Sequence, residues 1–178
     1  MAIRKASAYS KMKVRPFTRT SRNKNKAFIK TVPQNKIVKY HIGNQKDYRA
    51  GKHAYRVLLL SEERVQMRDN AIEAARMALT KSMDEQALGL YYLAVKVYPH
   101  HFLRENKTAG GAGPDRISTG MTQSFGVIIG RAALVQPGQP VFIITGTTDK
   151  IARIARDSLV AIKSKLPCKT RIIFEAIK

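Results

Sequence analysis

Apolar positions change period several times between residue 36 and the end of the chain, and each change predicts an element. Residues 36–42 and 54–60 carry Ile, Val, Tyr and Leu in short runs of strand length. Residues 67–83 follow a helical spacing instead. Ala71, Ala74, Ala75 and Ala78 share one side, with Met67 and Ile72 nearby, and small alanines let such a helix lie close against a sheet. Over residues 88–98, Leu93, Val95 and Val97 alternate with Ala94, Lys96 and Tyr98, which predicts a long strand ended by Pro99. A short strand is expected over 100–104. Two more are expected over 127–135 and 139–145, with Pro137-Gly138 at the turn between them. The stripe Ile151, Ile154, Ala155, Leu159 and Ile162 predicts a second helix over 148–165, basic on its other side and stopped by Pro167. A last strand is expected over 170–174. Many strands with two helices predict an α+β fold, a mostly antiparallel sheet with both helices packed on it.

Two stretches lack any such period. Residues 1–35 read as an extended basic arm ahead of a single domain over 36–178. In the arm, Arg4, Lys5, Lys11, Lys13, Arg15, Arg19, Arg22, Lys24, Lys26 and Lys30 surround the single aromatics Tyr9, Phe17 and Phe28. Cations of this kind reach phosphates, while rings and Arg planes stack on exposed bases. The plainer reading is a solvated, disordered tail. Aromatic rings disfavour a purely solvating tail, so a segment that folds onto a surface is preferred.

The second stretch is the loop 105–126, longer than the roughly 12–15 residues that compact domains leave without structure unless they use them. It holds Gly110, Gly111, Gly113, Pro114 and Gly120, with Lys107 and Arg116 as cations beside Arg104. Thr108, Ser118, Thr119, Thr122 and Ser124 add hydroxyls, and Asp115 and Met121 lie among them. Glycines allow close backbone approach, and hydroxyls and arginines bond phosphate and 2′-hydroxyl oxygens. The loop lacks the Gly-Lys-Ser/Thr ending of a P-loop and the spacing of a dinucleotide fingerprint, so a nucleotide cradle is a weak reading.

Charge sharpens both assignments. The 178 residues carry a formal net charge of +21. Residues 1–60 hold 16 Lys and Arg against one acid, Asp47, for +15; the remainder holds 17 against 11, for +6. So large an excess repels itself in a compact fold unless a polyanion neutralises it. Nucleic acid is the commonest candidate, ahead of an acidic membrane or protein surface. An arm free of carboxylates up to Asp47 places that partner along the arm. Asp69, Glu73, Asp84 and Glu85 leave 61–85 slightly negative, and its helix is expected to face away from RNA. Apolar residues make up 44% of the chain, which excludes a wholly disordered polycation.

Other classes fare poorly. Cys168 is the only cysteine, which excludes an intrachain disulfide or a Cys cluster and fits a reducing cytosol. No apolar run has transmembrane length. The basic start imitates a transit peptide, but it lacks an amphipathic period and runs on through Pro16 and Pro33. His100-His101 with Glu105 could suggest a metal or acid/base site. Adjacent strand residues point to opposite faces, so one His is expected to be packed and the other to meet solvent or RNA. Lys169 could lower the pKa of Cys168, although a small buried residue is the commoner role for a lone Cys. No nucleophile elbow is present. No catalytic residue, metal ligand or cofactor is expected. Rivals to a protein built into a large RNA assembly are a free RNA- or DNA-binding chaperone or chromatin protein, and an enzyme acting on RNA through His100 or His101.

Several short motifs are collinear with one family. Ala112-Gly113-Pro114-Asp115-Arg116-Ile117-Ser118-Thr119-Gly120-Met121, followed by Phe125-Gly126, resembles the signature of the universal large-subunit ribosomal protein L-sixteen in its archaeal and eukaryotic form (L-ten-e, or QM). Asn70-Ala71-Ile72-Glu73-Ala74-Ala75-Arg76 resembles the family's first helix, and residues 98–107 resemble the strand that enters its loop. The resemblance runs from Arg15 to Phe174. It implies an α/β-hammerhead-type fold packed on large-subunit ribosomal RNA, with neighbouring ribosomal proteins and no homo-oligomer. It also implies a cytoplasmic, non-enzymatic constituent of the large subunit. The family's loop points toward the peptidyl-transferase centre and the tRNA at the A and P sites, which would put 112–125 at the functional end. The chain stops at Lys178 without the long extension of the eukaryotic members, so an archaeal source is expected.

Overall fold

The computed structural model describes residues 4–11, 17–18, 20–23, 25–26, 29, 31–105 and 126–177. Strands β1 (His41–Gly43), β2 (Tyr55–Ser61), β4 (Tyr91–Val95), β7 (Pro140–Gly146) and β8 (Thr170–Ala176) form one sheet in the order β1-β4-β7-β2-β8. Strands β3 (Val65–Arg68), β5 (His101–Glu105) and β6 (Val127–Val135) form a second, in the order β3-β6-β5. Every pairing between these strands is antiparallel. Helices α2 (Asp69–Ala87) and α3 (Asp149–Ile162) pack against each other, and α3 lies on β2, β7 and β8. The short helix α1 (Gln45–Arg49) completes the described elements, apart from a single 3-10 turn at Lys163–Lys165.

The fold is α+β, as the periodicity predicts, with the sheet divided in two. In β2, Val57, Leu59 and Ser61 point inward in strict alternation. On α3 the buried positions Ile151, Ala155, Leu159 and Ile162 repeat at helical spacing, matching the predicted stripe except for Ile154, which packs at its edge. These side chains meet Ile72, Leu79 and Met83 of α2 and Leu93, Phe142 and Ile144 of the large sheet in one core. The predicted alanine face of α2 is realised by Ala71 and Ala75, and Ser82 and Ser158 join the two helices at 2.8 Å.

Three differences from the sequence pattern have physical causes. The expected strand over 36–42 is paired only at His41–Gly43. Upstream of it, the amides of Lys36 and Val38 donate to the carboxylates of Asp69 and Glu73, at 3.3 and 3.4 Å, and that of Ile37 donates to the Asn35 side chain at 3.1 Å. Side-chain acceptors on α2 replace a strand partner, and Val38 is left 72% exposed. Two of the acids expected to face outward are therefore buried within the domain, while Asp84 accepts from the Tyr91 hydroxyl at 2.6 Å.

Secondly, the helix expected from residue 67 begins at Asp69, because Val65–Arg68 pairs with β6 in the register Met67↔Ala133. Thirdly, α1 was not expected; Asn44 starts it by accepting from the Asp47 amide at 3.1 Å. Just before it, Gly43 has φ +85°, and a Cβ there would collide with the Tyr91 carbonyl oxygen, so this position requires glycine.

Candidate nucleic-acid interface

Among the described residues, the arm's backbone is docked on the small sheet at residues 4–11 and at Phe17. Lys11 bridges Val65 on β3, and the Gln66 amide donates to the Ser10 carbonyl at 3.0 Å. The Gln66 side-chain amide reaches the Tyr9 carbonyl, and Arg68 donates to the carbonyls of Arg4 and Lys5 at 2.9 and 2.7 Å. On the opposite edge, the Phe102 amide donates to the Phe17 carbonyl at 3.0 Å and the Phe17 amide to His101 Nδ1 at 2.8 Å. Both outer strands of the small sheet are thus covered by arm backbone, which also removes exposed edges that invite pairing with other chains.

This docking sorts the predicted arm residues. Lys5, Lys11, Arg22 and Lys26 are exposed. Arg4 is committed to the domain: its guanidinium pairs with Glu105 at 2.8 Å and lies 5.3 Å from the Tyr9 ring centre. The hydrogen bond to Glu105 raises the pKa of Arg4, and the same bond holds the Glu105 carboxyl below the usual glutamate range. Lys13, Arg15, Arg19, Lys24 and Lys30 lie outside the described residues, as does Phe28. The other two aromatics turn toward the protein: Tyr9 lies against Arg4, and the Phe17 ring lies under the Arg104 guanidinium at 3.6 Å. Sequence reasoning missed Gln66 and Arg68, the buried anchors of the arm. The signal was present, because Val65 and Met67 alternate with these two polar residues as in a strand whose other face meets a polar partner.

Of the loop residues, Arg104 is described; Lys107, Gly110, Gly111, Gly113, Asp115, Arg116, Thr119, Gly120 and Met121 lie outside the described residues. Both roots of the loop are visible. Strand β5 ends at Glu105, β6 begins at Val127, and Glu105 pairs with Val127. A Cβ on Gly126 would stand 2.6 Å from the Glu105 carbonyl oxygen and 2.7 Å from its carbon. Because the obstacle is backbone, Gly126→Ala is expected to part the roots and to destabilise the small sheet by about 1–3 kcal/mol, as overpacking does. A thermal melt checks this, and an unchanged midpoint would contradict it.

Between arm and small sheet lies a cleft lined in part by Arg4, Lys36, Arg68, Asp69 and Arg131. Burial pushes the Asp69 carboxyl up, although the Lys36 and Asn70 amides donate to it. This cluster is a concentration of cations around one acid.

The residues that suggest catalysis in the sequence are placed otherwise. His101 is buried beneath Phe17, with Nδ1 accepting and so unprotonated, while its neighbour His100 is exposed. One is packed and the other exposed, as the sequence predicts, although His100 lies just before β5. Cys168 is half-buried; burial raises its thiol pKa, and the Ser61 hydroxyl donates to its sulfur at 3.5 Å. Among the described residues, no three His, Cys, Asp and Glu side chains are grouped to hold a metal ion. No helix among them is long and apolar enough to cross a membrane.

The sequence from residue 13 to 173 matches the family described as ribosomal protein L16p/L10e. The chain belongs to this family. Its similarity to curated members extends over nearly its whole length. It is 39% identical over 179 residues to the large ribosomal subunit protein uL16 of Staphylothermus marinus, covering all of this chain and 97% of that relative. It is 37% identical over 174 residues to the protein of the same name from Methanococcus aeolicus, covering 97% of this chain and 94% of the relative. The Archaeoglobus fulgidus protein of that name is 36% identical over 162 residues, 90% of this chain and 87% of the relative. These relatives are archaeal, which bears out the archaeal form of the L16p/L10e family that the motifs resemble. In the family frame, the docked arm and the paired roots of the loop are the two features of this fold to be assigned a task.

Proposed function

We propose that this chain is a structural, non-enzymatic constituent of the large ribosomal subunit that clamps large-subunit ribosomal RNA through its arm. Its loop 105–126 then helps to shape the tRNA-binding region near the peptidyl-transferase centre. The observation that carries the reading is the combination of backbone and charge in the arm. The carbonyls of Arg4, Lys5, Tyr9, Ser10 and Phe17 and the Phe17 amide are held by the small sheet, while Lys5, Lys11, Arg22 and Lys26 are exposed on a segment without a carboxylate. Docking the backbone lowers the entropy that a free tail would lose on binding RNA. Phosphate contacts then position the protein without reading sequence. Neighbouring ribosomal proteins are further partners, and the place of action is the cytoplasmic ribosome.

The loop has a different composition and a different proposed task. It carries few cations and many glycines and hydroxyls, which suits close packing against RNA backbone more than long-range attraction. Because its roots are fixed by β5 and β6, a change midway along its sequence is expected to leave the domain and the arm alone. Arg116→Ala should therefore lower translation more than it lowers incorporation into subunits. The check is to compare peptide synthesis per particle with the occupancy of the protein on those particles. Equal losses of both would leave the loop a structural role only.

A further inference from the structure

A second surface, built mainly from residues between the arm and the loop, is arranged to meet RNA in another way. After β4 the chain alternates: Lys96, Tyr98 and His100 are exposed, while Val97 and Pro99 between them are buried. The Lys96 amide donates to the Val141 carbonyl at 2.9 Å, which ties the start of the segment to β7. The His100 amide donates to the Tyr98 carbonyl at 3.0 Å, closing a three-residue turn with Pro99 at its centre. Proline's fixed φ suits that central position.

The turn has a direct consequence for the two flanking rings. In an extended strand, side chains two residues apart are separated by roughly 6.5–7 Å. Here the ring centres of Tyr98 and His100 are 4.4 Å apart. Tyr40 stacks on Tyr98 as well, at 5.6 Å and 23° between planes, with its hydroxyl held by the Asn35 side chain at 2.6 Å. The Tyr40 carbonyl accepts from the Val95 amide at 2.8 Å, so both contributing segments are fixed to β4. Three rings form one cluster on rigid backbone, yet Tyr98 is 43% exposed.

The rim gives the chemistry of the occupant. Lys36, Lys39 and Lys96 are exposed on the same two segments. Neither residues 31–46 nor residues 86–104 contain an acid. The carboxylates packed against these segments, Asp69 and Glu73, are buried, so the exposed charge at the rim is cationic and offers an apolar protein partner nothing. A nucleic-acid strand offers a flat base for the rings and phosphates for the lysines, and stacking on aromatic side chains is how unpaired bases are held.

We propose that Tyr98 and His100, backed by Tyr40, form a stacking platform for an unpaired base of single-stranded RNA, with Lys39 and Lys96 meeting the flanking phosphates. This rests on the RNA-binding reading above and adds to it a contact that is neither arm nor loop.

The test measures the affinity of the full chain for a short oligoadenylate and for an abasic strand of the same length, at one fixed salt concentration. Stacking favours the base-bearing strand by roughly tenfold. His100→Ala, a change at an exposed ring, should lower that ratio, and the Tyr98→Ala/His100→Ala double variant should bring it near one. Abasic affinity should be unchanged in both, and Tyr98→Phe/His100→Phe should keep the preference. Circular dichroism verifies that the variants are folded, and His100→Ala alone decides the matter if the double variant is not. An unchanged ratio in His100→Ala and in the folded double variant would overturn the platform while leaving phosphate binding intact. So would equal binding of both strands by the unaltered chain. Failure of the unaltered chain to bind either strand would overturn the RNA-binding reading and the platform with it.

Discussion

Replacing Arg19, Arg22, Lys24 and Lys26 with alanine is expected to abolish stable incorporation into large subunits at physiological salt while leaving the domain folded. Each phosphate contact that releases a counterion contributes about 0.7–0.9 to the slope of log affinity against log salt. Four lost cations therefore flatten that slope by about three and lower affinity by orders of magnitude. Arg22 and Lys26 are exposed, and the core lies in residues 37–166, so the thermal midpoint should barely move. The measurement is occupancy of particles reconstituted with each protein over a salt series. Normal assembly of the quadruple variant would refute the role given to the arm.

The second large effect is on stability. Glu73 and Arg76 are 9% and 8% exposed, and Arg76 Nε donates to Glu73 at 2.7 Å in a pair that also engages a second guanidinium nitrogen. Glu73 further accepts from the Val38 amide. Glu73→Ala leaves a buried guanidinium without its carboxylate, a loss of about 3–5 kcal/mol, or roughly 10 °C in Tm for a chain of this size. The hydrogen bond from Arg76 holds the Glu73 carboxyl below the usual glutamate range. Native protein thus binds fewer protons at this site than the unfolded chain. The contribution is complete above the ordinary glutamate pKa and is lost as pH falls through the lower native value. Asp69 has the opposite sign, because burial raises its pKa and its carboxylate disfavours the fold as pH rises through the ordinary aspartate value toward the higher native value. Stability of the native protein should therefore fall between about pH 5 and pH 3 more steeply than that of Glu73→Ala. Denaturant titrations at both ends of that window check this, and parallel curves would contradict it.

How much of this was legible in the sequence varies with the range of the interactions. The α3 stripe, the β2 alternation and the antiparallel strands at 127–135 and 139–145 arise from local periodicity, and the structure carries them with shifts of up to three residues at their ends. The division into two sheets was not legible, because it depends on Val65–Arg68 pairing with a strand some 65 residues later. Met67 fits a helical stripe equally well, and only the partner decides. Nor could the sequence show that Asp69 and Glu73 turn inward to the amides of residues 36 and 38. Their charge alone reads as a solvated face. In the candidate interface, the concentration of charge in the arm was plain from composition, whereas its anchors, Gln66 and Arg68, required the strand that composition does not reveal. The Tyr98-Pro99-His100 turn illustrates the same limit. Its residues were visible as a strand break, and the ring cluster follows only from the hydrogen bond across the proline.

The central claim is that this chain resides in the large ribosomal subunit, held there by RNA phosphates. Sedimentation of cell lysate over a series of salt concentrations, with the chain followed across the gradient, tests it most directly. The account predicts that the chain travels with large subunits through moderate salt and is released only as salt rises further. A chain that remains in the light fractions at low salt, or washes off at the first modest increase as a free RNA chaperone would, contradicts it.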